Sequence, residues 1–154
     1  MSASTPSSRV QELLAAAGAA LATVAIFLPW YGTDPQSPAS NIDGVRGDLS
    51  MWTVHEAMRY VLLALLVLMT VMALASLLGR AHGLVDPIMV LGVNAIGIVL
   101  YFGFIYRPGD PMQTISLRYG YFLALAGVTT SLVVASLRAK QSVRRSASPL
   151  SARA

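Results

Sequence analysis

Four stretches of the chain contain no charged residue, and each is 19 or 20 residues long. These stretches are residues 13–31, 60–79, 87–106 and 119–137. A helix rises about 1.5 Å per residue, so roughly 20 residues cross a hydrocarbon core about 30 Å thick. Because backbone polar groups cannot stay unpaired in lipid, the pattern predicts four membrane-spanning helices joined by polar connections.

Residues typical of helix starts and stops refine the boundaries of these spans. Thr53 and Glu56 have the spacing of a capping box, so the second helix is predicted to begin before its apolar stretch. Asp86 and Pro87 suit the start of the third helix, and Gly79 suits the end of the second. The predicted spans are therefore about 10–31, 53–79, 87–106 and 117–137.

Composition supports a membrane protein made of a single domain. Hydrophobic residues make up 55% of the 154 residues and charged residues only 12%, whereas soluble domains carry about 25% charged residues. We therefore expect an all-α fold, an integral membrane four-helix bundle over residues 10–137 with a larger first outer loop. Residues 1–9 and 138–154 are predicted to be disordered tails, of which the second is basic.

The distribution of basic residues predicts the orientation of the helices. If both termini lie on one side, that side carries seven arginine and lysine residues against two acidic residues, and the other side carries four against five. The positive-inside rule then places both the N and the C terminus in the cytoplasm. The C-terminal tail has five basic residues and no aromatic one, so we expect it to bind anionic lipid headgroups rather than nucleic acid.

Aromatic residues show a second asymmetry, because all twelve fall at the outer ends of the predicted spans or in the first outer loop. Together with nearby arginines they either anchor the protein and pack beneath its loops, or form a rim that binds a lipid or a partner helix. The arginines are expected to pair with acidic residues of the same chain unless a ligand takes that place. The candidate rim consists of Trp30, Tyr31, Trp52, Arg59, Tyr106, Arg107, Arg118 and Tyr119.

Small and polar residues within the spans indicate close helix packing. Ala15, Gly18, Ala19 and Ala22 recur on one face of the first helix, which is typical of helices whose backbones approach closely. Asn94 is the one strongly polar side chain deep in the third span. An amide at this depth either forms a hydrogen bond across the helices, which we favour, or belongs to a functional site.

Residues suited to catalysis or metal binding are scarce. His55 and His82 are the only histidines, and they fall on opposite sides of the predicted membrane, so they cannot ligate one metal ion. Without cysteine the chain has no disulfide, no thiolate nucleophile and no Cys-ligated metal. Because no acidic residue, lysine, arginine or histidine lies within an apolar stretch, we expect neither an enzyme nor a proton-coupled transporter, and no cofactor.

Several short motifs resemble a group of small four-span membrane proteins of actinobacteria. The segments "FLPWYG" at 27–32 and "LSMW" at 49–52 are similar to the L-P-W-Y and S-x-W pattern of that group. The segments "YRPG" at 106–109 and "SLRYGYFLALAG" at 116–127 are similar to its exit from the third span and its entry into the fourth. The resemblance implies a four-helix topology in a bacterial plasma membrane, and it implies no particular activity.

The layout also resembles claudin-like four-span proteins. Their large first extracellular loop carries a tryptophan near each end, as Trp30 and Trp52 do here. This likeness is one of architecture only. Because the chain lacks cysteine, the disulfide-pinned sheet of that family is not expected.

These observations lead to two functional hypotheses. The first is a non-enzymatic accessory or scaffold subunit of a larger membrane or cell-envelope complex, which binds other membrane proteins or copies of itself. The alternative is a transport component that binds a lipid or a small hydrophobic molecule through the aromatic and arginine rim.

Overall fold

The protein is mostly helical. A computed structural model describes residues 6–79 and 83–147. The helices of these residues are α1 (Pro6–Ala25), α2 (Met51–Val54), α3 (Met58–Leu77), α4 (Val85–Leu100) and α5 (Tyr119–Ala147). The predictions that concern His82, residues 1–5 and residues 148–154 fall outside the described residues.

Three helices of the described residues are long and apolar enough to cross a membrane. These candidate spans are Met58–Leu77, Val85–Ile105 and Tyr119–Arg144. The second of them continues α4 through a π-helical turn. This agrees with the prediction of a helical membrane protein. Helix α1 is as long as α3 but carries Arg9 and Glu12 near its start, and it is not among the candidate spans, so a fourth span stays a prediction.

The predicted first span is too long at its C-terminal end. Helix α1 ends at Ala25, and after one tight turn Pro29 begins strand β1 (Pro29–Gly32). Since proline has no backbone N–H, it cannot extend the helical hydrogen-bond ladder. The predicted helix over residues 10–31 is therefore wrong beyond Ala25. Residues 6–9, which were predicted to be disordered, belong to α1.

A three-stranded antiparallel sheet lies at the end of the helices where α1 stops. Its strands are β1, β2 (Asp48–Ser50) and β3 (Ser116–Leu117), in the order β2-β1-β3. Tyr31 pairs with Leu49 on one side and with Leu117 on the other. The all-α prediction is therefore wrong at this end, where backbone pairing joins three strands without a disulfide.

The four long helices pack in a closed ring, in which α1 and α4 each contact both α3 and α5. Gly18 and Gly127 let α1 and α5 approach closely, because a Cβ on Gly127 would lie 2.5 Å from the carbonyl oxygen of Gly18. The neighbouring Ala15, Ala19 and Ala22 are buried. The predicted packing face of α1 is thus confirmed.

The connection between β2 and α3 contains the short helix α2. The hydroxyl of Ser50 caps this helix by accepting a 3.2 Å hydrogen bond from the backbone N–H of Thr53. The chain leaves helical geometry at His55 before α3 begins at Met58. The predicted capping box of Thr53 and Glu56 therefore does not form, because Ser50 occupies the capping position.

At the opposite end of the helices an ion pair joins α1 to α5. Arg138 Nη2 lies 3.3 Å from Glu12 Oε1 and donates a 2.9 Å hydrogen bond to the hydroxyl of Ser76 on α3. The two charged side chains are only 20% and 15% exposed. Helix α5 continues past this contact to Ala147, so residues 138–147 of the predicted disordered tail are helical.

Candidate functional site

The sheet and the loops beside it form a layer that we call the cap, residues 29–57 and 106–118. The two loops are tied to each other, because Asn41 and Asp110 exchange backbone hydrogen bonds of 3.2 and 3.0 Å. The cap therefore holds two distant parts of the chain in one arrangement above the helices.

Trp30 and Tyr31, two residues of the predicted rim, lie inside the protein. Both side chains are completely buried, and the indole N–H of Trp30 donates a 2.8 Å hydrogen bond to the carbonyl of Ala25. The Trp30 ring also packs edge-on against Tyr121 of α5 at 5.6 Å. Packing beneath the loops, the first of the two alternatives, therefore holds for these two residues, because β1 is the central strand of the sheet and its residues 30–32 are buried.

Tyr31 and His55 form a buried polar pair within the cap. The tyrosine hydroxyl lies 2.9 Å from Nε2 of the imidazole in a hydrogen bond, and the imidazole packs 4.1 Å from the ring of Phe102. Burial lowers the pKa of His55 to about 4, with Asp43 acting in the opposite direction. Burial also raises the pKa of Tyr31 far above its usual value. The pair is therefore neutral near neutral pH, and it joins β1 to the start of α3.

Arg59 is held between two aromatic rings beside the cap. Its guanidinium carbon lies 5.1 Å from the ring centroid of Trp52 and 4.9 Å from that of Tyr60. It also donates to the carbonyl of Trp52 at 3.2 Å and to the hydroxyl of Tyr60 at 3.1 Å. Phe27 packs on Trp52 at 5.1 Å, and both Phe27 and Tyr60 are about half exposed. We call Phe27, Trp52, Arg59 and Tyr60 the aromatic cluster.

The other two arginines of the predicted rim stabilise the cap separately. Arg107 donates to the carbonyl of Gly103 at 3.0 Å and to that of Ile115 at 3.2 Å, which ties the end of the second candidate span to the segment before β3. Arg118 forms a 2.9 Å ion pair with Asp48 of β2. Pairing within the chain, which the sequence favoured, is therefore confirmed for Arg118.

Tyr106 and Tyr119 complete the predicted rim, and both are exposed. Tyr106 stacks on Tyr101 with ring centroids 6.3 Å apart. The eight predicted rim residues therefore do not form one continuous surface. Two of them are buried, two arginines hold the cap, two tyrosines are exposed, and the remaining two belong to the aromatic cluster.

Asn94 lies on the outer surface of α4, away from the other helices. Its side chain is exposed, and Nδ2 donates a 2.8 Å hydrogen bond to the carbonyl of Val90 on the same helix. The prediction that this amide bonds across the helices is wrong, because α4 packs through a different face. That buried face consists of Ile88, Gly92, Ala95 and Val99.

A shallow groove runs along α4 beside Asn94. Gly97 leaves its floor open, since no atom lies within 4 Å of the position that a Cβ would take. Met58 at the start of α3 and Phe102 complete the lining at one end. If α4 spans a membrane, the primary amide of Asn94 and the exposed backbone at Gly97 lie on its outward-facing surface.

The outward position of Asn94 is the feature that sequence reasoning missed, although a signal for it was present. Residues two apart on a helix point about 200° apart, because each residue turns the helix by roughly 100°. Gly92 is a small residue of the kind that marks a packed face. If Gly92 marks the packed face, Asn94 points away from the neighbouring helices, as it does. Gly97, an equally small residue on the Asn94 side, gives the opposite signal, so the sequence leaves both orientations open.

Comparison with known proteins identified no relative of this chain. A scan against protein-family models, a search of curated proteins and a search of solved structures found no match to this chain. The described residues contain no group of three or more histidine, cysteine or acidic side chains that could hold a metal ion. The surfaces of the described residues are therefore what indicates a function.

Proposed function

We propose that this chain is a non-enzymatic, multi-pass protein of the bacterial plasma membrane and serves as an accessory or scaffold subunit of a larger membrane or cell-envelope complex. In this proposal α1 and the apolar residues after it form a fourth membrane segment beside the three candidate spans. The distribution of basic residues favours both termini in the cytoplasm, with the cap on the outer side.

The exposed amide of Asn94 is the observation that carries this proposal. Asn94 lies near the middle of the candidate span Val85–Ile105, where the surrounding lipid offers no hydrogen-bonding partner. None of the described residues donates a hydrogen bond to its Oδ1. An amide left partly unpaired in hydrocarbon costs free energy, and polar residues at this depth typically face protein rather than lipid. A docked membrane helix would supply the missing partner.

Purification from the native host in a mild detergent, followed by mass spectrometry, tests this proposal. Other membrane proteins or further copies of this chain should co-purify, and the Asn94→Leu variant should retain less of them. Val133→Leu makes a matched apolar change on the exposed face of α5 and should leave the complex intact. Recovery of the wild-type chain only as an isolated monomer would contradict an accessory role.

The aromatic cluster supports lipid binding as a second candidate function. The contacts of Arg59 are two aromatic rings, a carbonyl and a phenol, and none of these brings a negative charge. An anionic headgroup at this position would neutralise the guanidinium while the exposed rings of Phe27 and Tyr60 contact acyl chains. The cluster therefore fits an anionic phospholipid.

Native mass spectrometry of protein extracted with its lipids tests this second candidate. Wild type should retain an anionic phospholipid, and Arg59→Met should lose it. Arg46→Met removes the same charge from the cap, where Arg46 is exposed and bonds to loop carbonyls, and should retain the lipid. Equal lipid content in the two variants would rule out a lipid site at the aromatic cluster.

A further inference from the structure

Exposed residues of α4 recur at the spacing that is typical of two helices packed side by side. Val90, Val93, Gly97 and Leu100 follow one another by three, four and three residues, and all four are exposed. This alternation of three and four lets two helices lie side by side at a small crossing angle. Gly97, at the centre of the row, has open space above it, so a second backbone can approach closely there.

Asn94 has hydrogen-bonding groups to spare on this same face. Nδ2 carries two hydrogens, and one of them is donated to the carbonyl of Val90. The other hydrogen points to no acceptor among the described residues, and Oδ1 likewise accepts from none of them. One donor and one acceptor therefore remain on a single side chain. This combination is complementary to an identical amide that is related to it by a two-fold axis.

We infer that the face formed by Val90, Val93, Asn94, Gly97 and Leu100 binds a second copy of this chain about a two-fold axis perpendicular to the membrane. The inference rests on the proposed function, and it identifies a second copy of this chain as the partner that binds the Asn94 face. In the dimer each Asn94 donates its remaining N–H to Oδ1 of the other copy, and the two Gly97 residues let the α4 helices approach.

A second copy fits this face better than an unrelated helix does. Identical chains insert into a membrane in the same orientation, so a two-fold axis along the membrane normal places Asn94 opposite Asn94 at the same depth. An unrelated helix would need its own polar group at that level. Residues 87–106 also contain no charged side chain, so two copies meet without repulsion between like charges.

Disulfide crosslinking in membranes tests the geometry of the dimer. The chain has no cysteine, so a single introduced cysteine forms a disulfide between copies only if the two sites meet. We expect oxidised Val93→Cys protein to give a product of twice the chain mass. Val133→Cys is the matched control, because Val133 on α5 is 51% exposed and Val93 is 56% exposed. Crosslinking of both variants to the same extent, or of neither, would overturn the inference.

The Asn94→Leu variant tests the contribution of the amide. Energy transfer between differently labelled copies in lipid vesicles measures the dissociation constant of the dimer. This constant should be roughly 5- to 30-fold higher for Asn94→Leu than for wild type. Asn94→Gln keeps both hydrogen-bonding groups and should recover part of the loss. Since Asn94 is exposed and bonds only to its own helix, the leucine variant should fold, which circular dichroism can check. A dimer of unchanged strength would overturn the inference.

The mass of the purified protein separates failure of this inference from failure of the proposed function. A species of two 16.3 kDa chains that dissociates in Asn94→Leu supports the inference. A different membrane protein that is lost from Asn94→Leu, with no crosslinking of Val93→Cys between copies, overturns the inference and keeps the proposed function. A monomer that is insensitive to Asn94→Leu overturns both.

Discussion

The hydroxyl of Tyr31 and Nε2 of His55, which lie 24 positions apart in the chain, are joined by a 2.9 Å hydrogen bond within the cap. Tyr31 belongs to the central strand of the sheet, and His55 lies just before α3. The imidazole also packs against Phe102, at the end of the second candidate span. One buried pair thus joins the central strand to the segment before α3 and to the end of the second candidate span.

The stability of the fold is expected to fall as the pH drops below about 6.5, the ordinary pKa of histidine. Because burial lowers the pKa of His55 to about 4 in the folded protein, the unfolded chain binds more protons between these two values. The contribution of the neutral imidazole is fully present above this range and is lost as the pH falls through it. Denaturant unfolding in detergent above and below the range measures the effect.

His55→Gln keeps a polar side chain at this position and removes its titration. The pH dependence of unfolding should become shallower in this variant, while acidic residues elsewhere still contribute to both proteins. An identical pH dependence in wild type and His55→Gln would show that this imidazole titrates as it does in the unfolded chain.

The α1–α5 contact is expected to tolerate only glycine at position 127. A Cβ on Gly127 would lie 2.5 Å from the carbonyl oxygen of Gly18 and 2.8 Å from the backbone nitrogen of Ala22, so Gly127→Val must push the two helices apart. We expect a loss of about 1 to 3 kcal/mol in the free energy of unfolding. Gly92→Ala is the control, because its nearest contacts are at ordinary distances of 3.5 Å or more. Equal destabilisation by both changes would contradict a close α1–α5 contact.

The largely buried ion pair of Glu12 and Arg138 is expected to contribute more to stability than the more exposed pair of Asp48 and Arg118. Arg138→Met leaves a largely buried carboxylate without its partner, which should lower the free energy of unfolding by about 1 to 3 kcal/mol. Adding Glu12→Gln should restore part of this loss, and thermal unfolding of the single and double variants measures the coupling. Asp48→Asn, at a pair that is 41% and 50% exposed, should cost less than about 1 kcal/mol.

The two tryptophans are expected to respond differently to quenchers. The sequence contains only two, so Trp52→Phe reports on Trp30 alone and Trp30→Phe reports on Trp52 alone. Trp30 is completely buried, so its fluorescence should resist both acrylamide and brominated lipids. Trp52, partly exposed within the aromatic cluster, should be quenched by brominated lipids. Similar quenching of the two variants would contradict the burial of Trp30.

Much of the helical framework could be predicted from the chain alone, because the required properties are local. Hydrophobicity over about 20 consecutive residues predicts a span whatever the rest of the chain does. Each of the three candidate spans overlaps a predicted one, although the third predicted span starts two residues late and the fourth ends seven residues early. The packing face of α1 could also be predicted from the sequence, since small residues at i, i+3, i+4 and i+7 share one side of any helix.

The sheet was missed because its pairing is not local. Residues 29–32 continue an apolar stretch, and nothing within them distinguishes the end of a helix from a strand apart from Pro29. Their partners lie at 48–50 and at 116–117, so β1 exists only once the chain has folded back twice. The burial of Trp30 and Tyr31 follows from that pairing, which is why the eight predicted rim residues do not form one exposed surface.

By itself the sequence determined the membrane class, the candidate spans and the scarcity of groups suited to catalysis, since these depend on composition and on runs of neighbouring residues. Tertiary structure decided where each polar side chain faces. Asn94 points outward because α4 meets α3 and α5 through Gly92 and Ala95, and His55 is buried because β1 and Phe102 cover it. Such orientations depend on which helix faces meet, and that is a property of the packed chain rather than of any one segment.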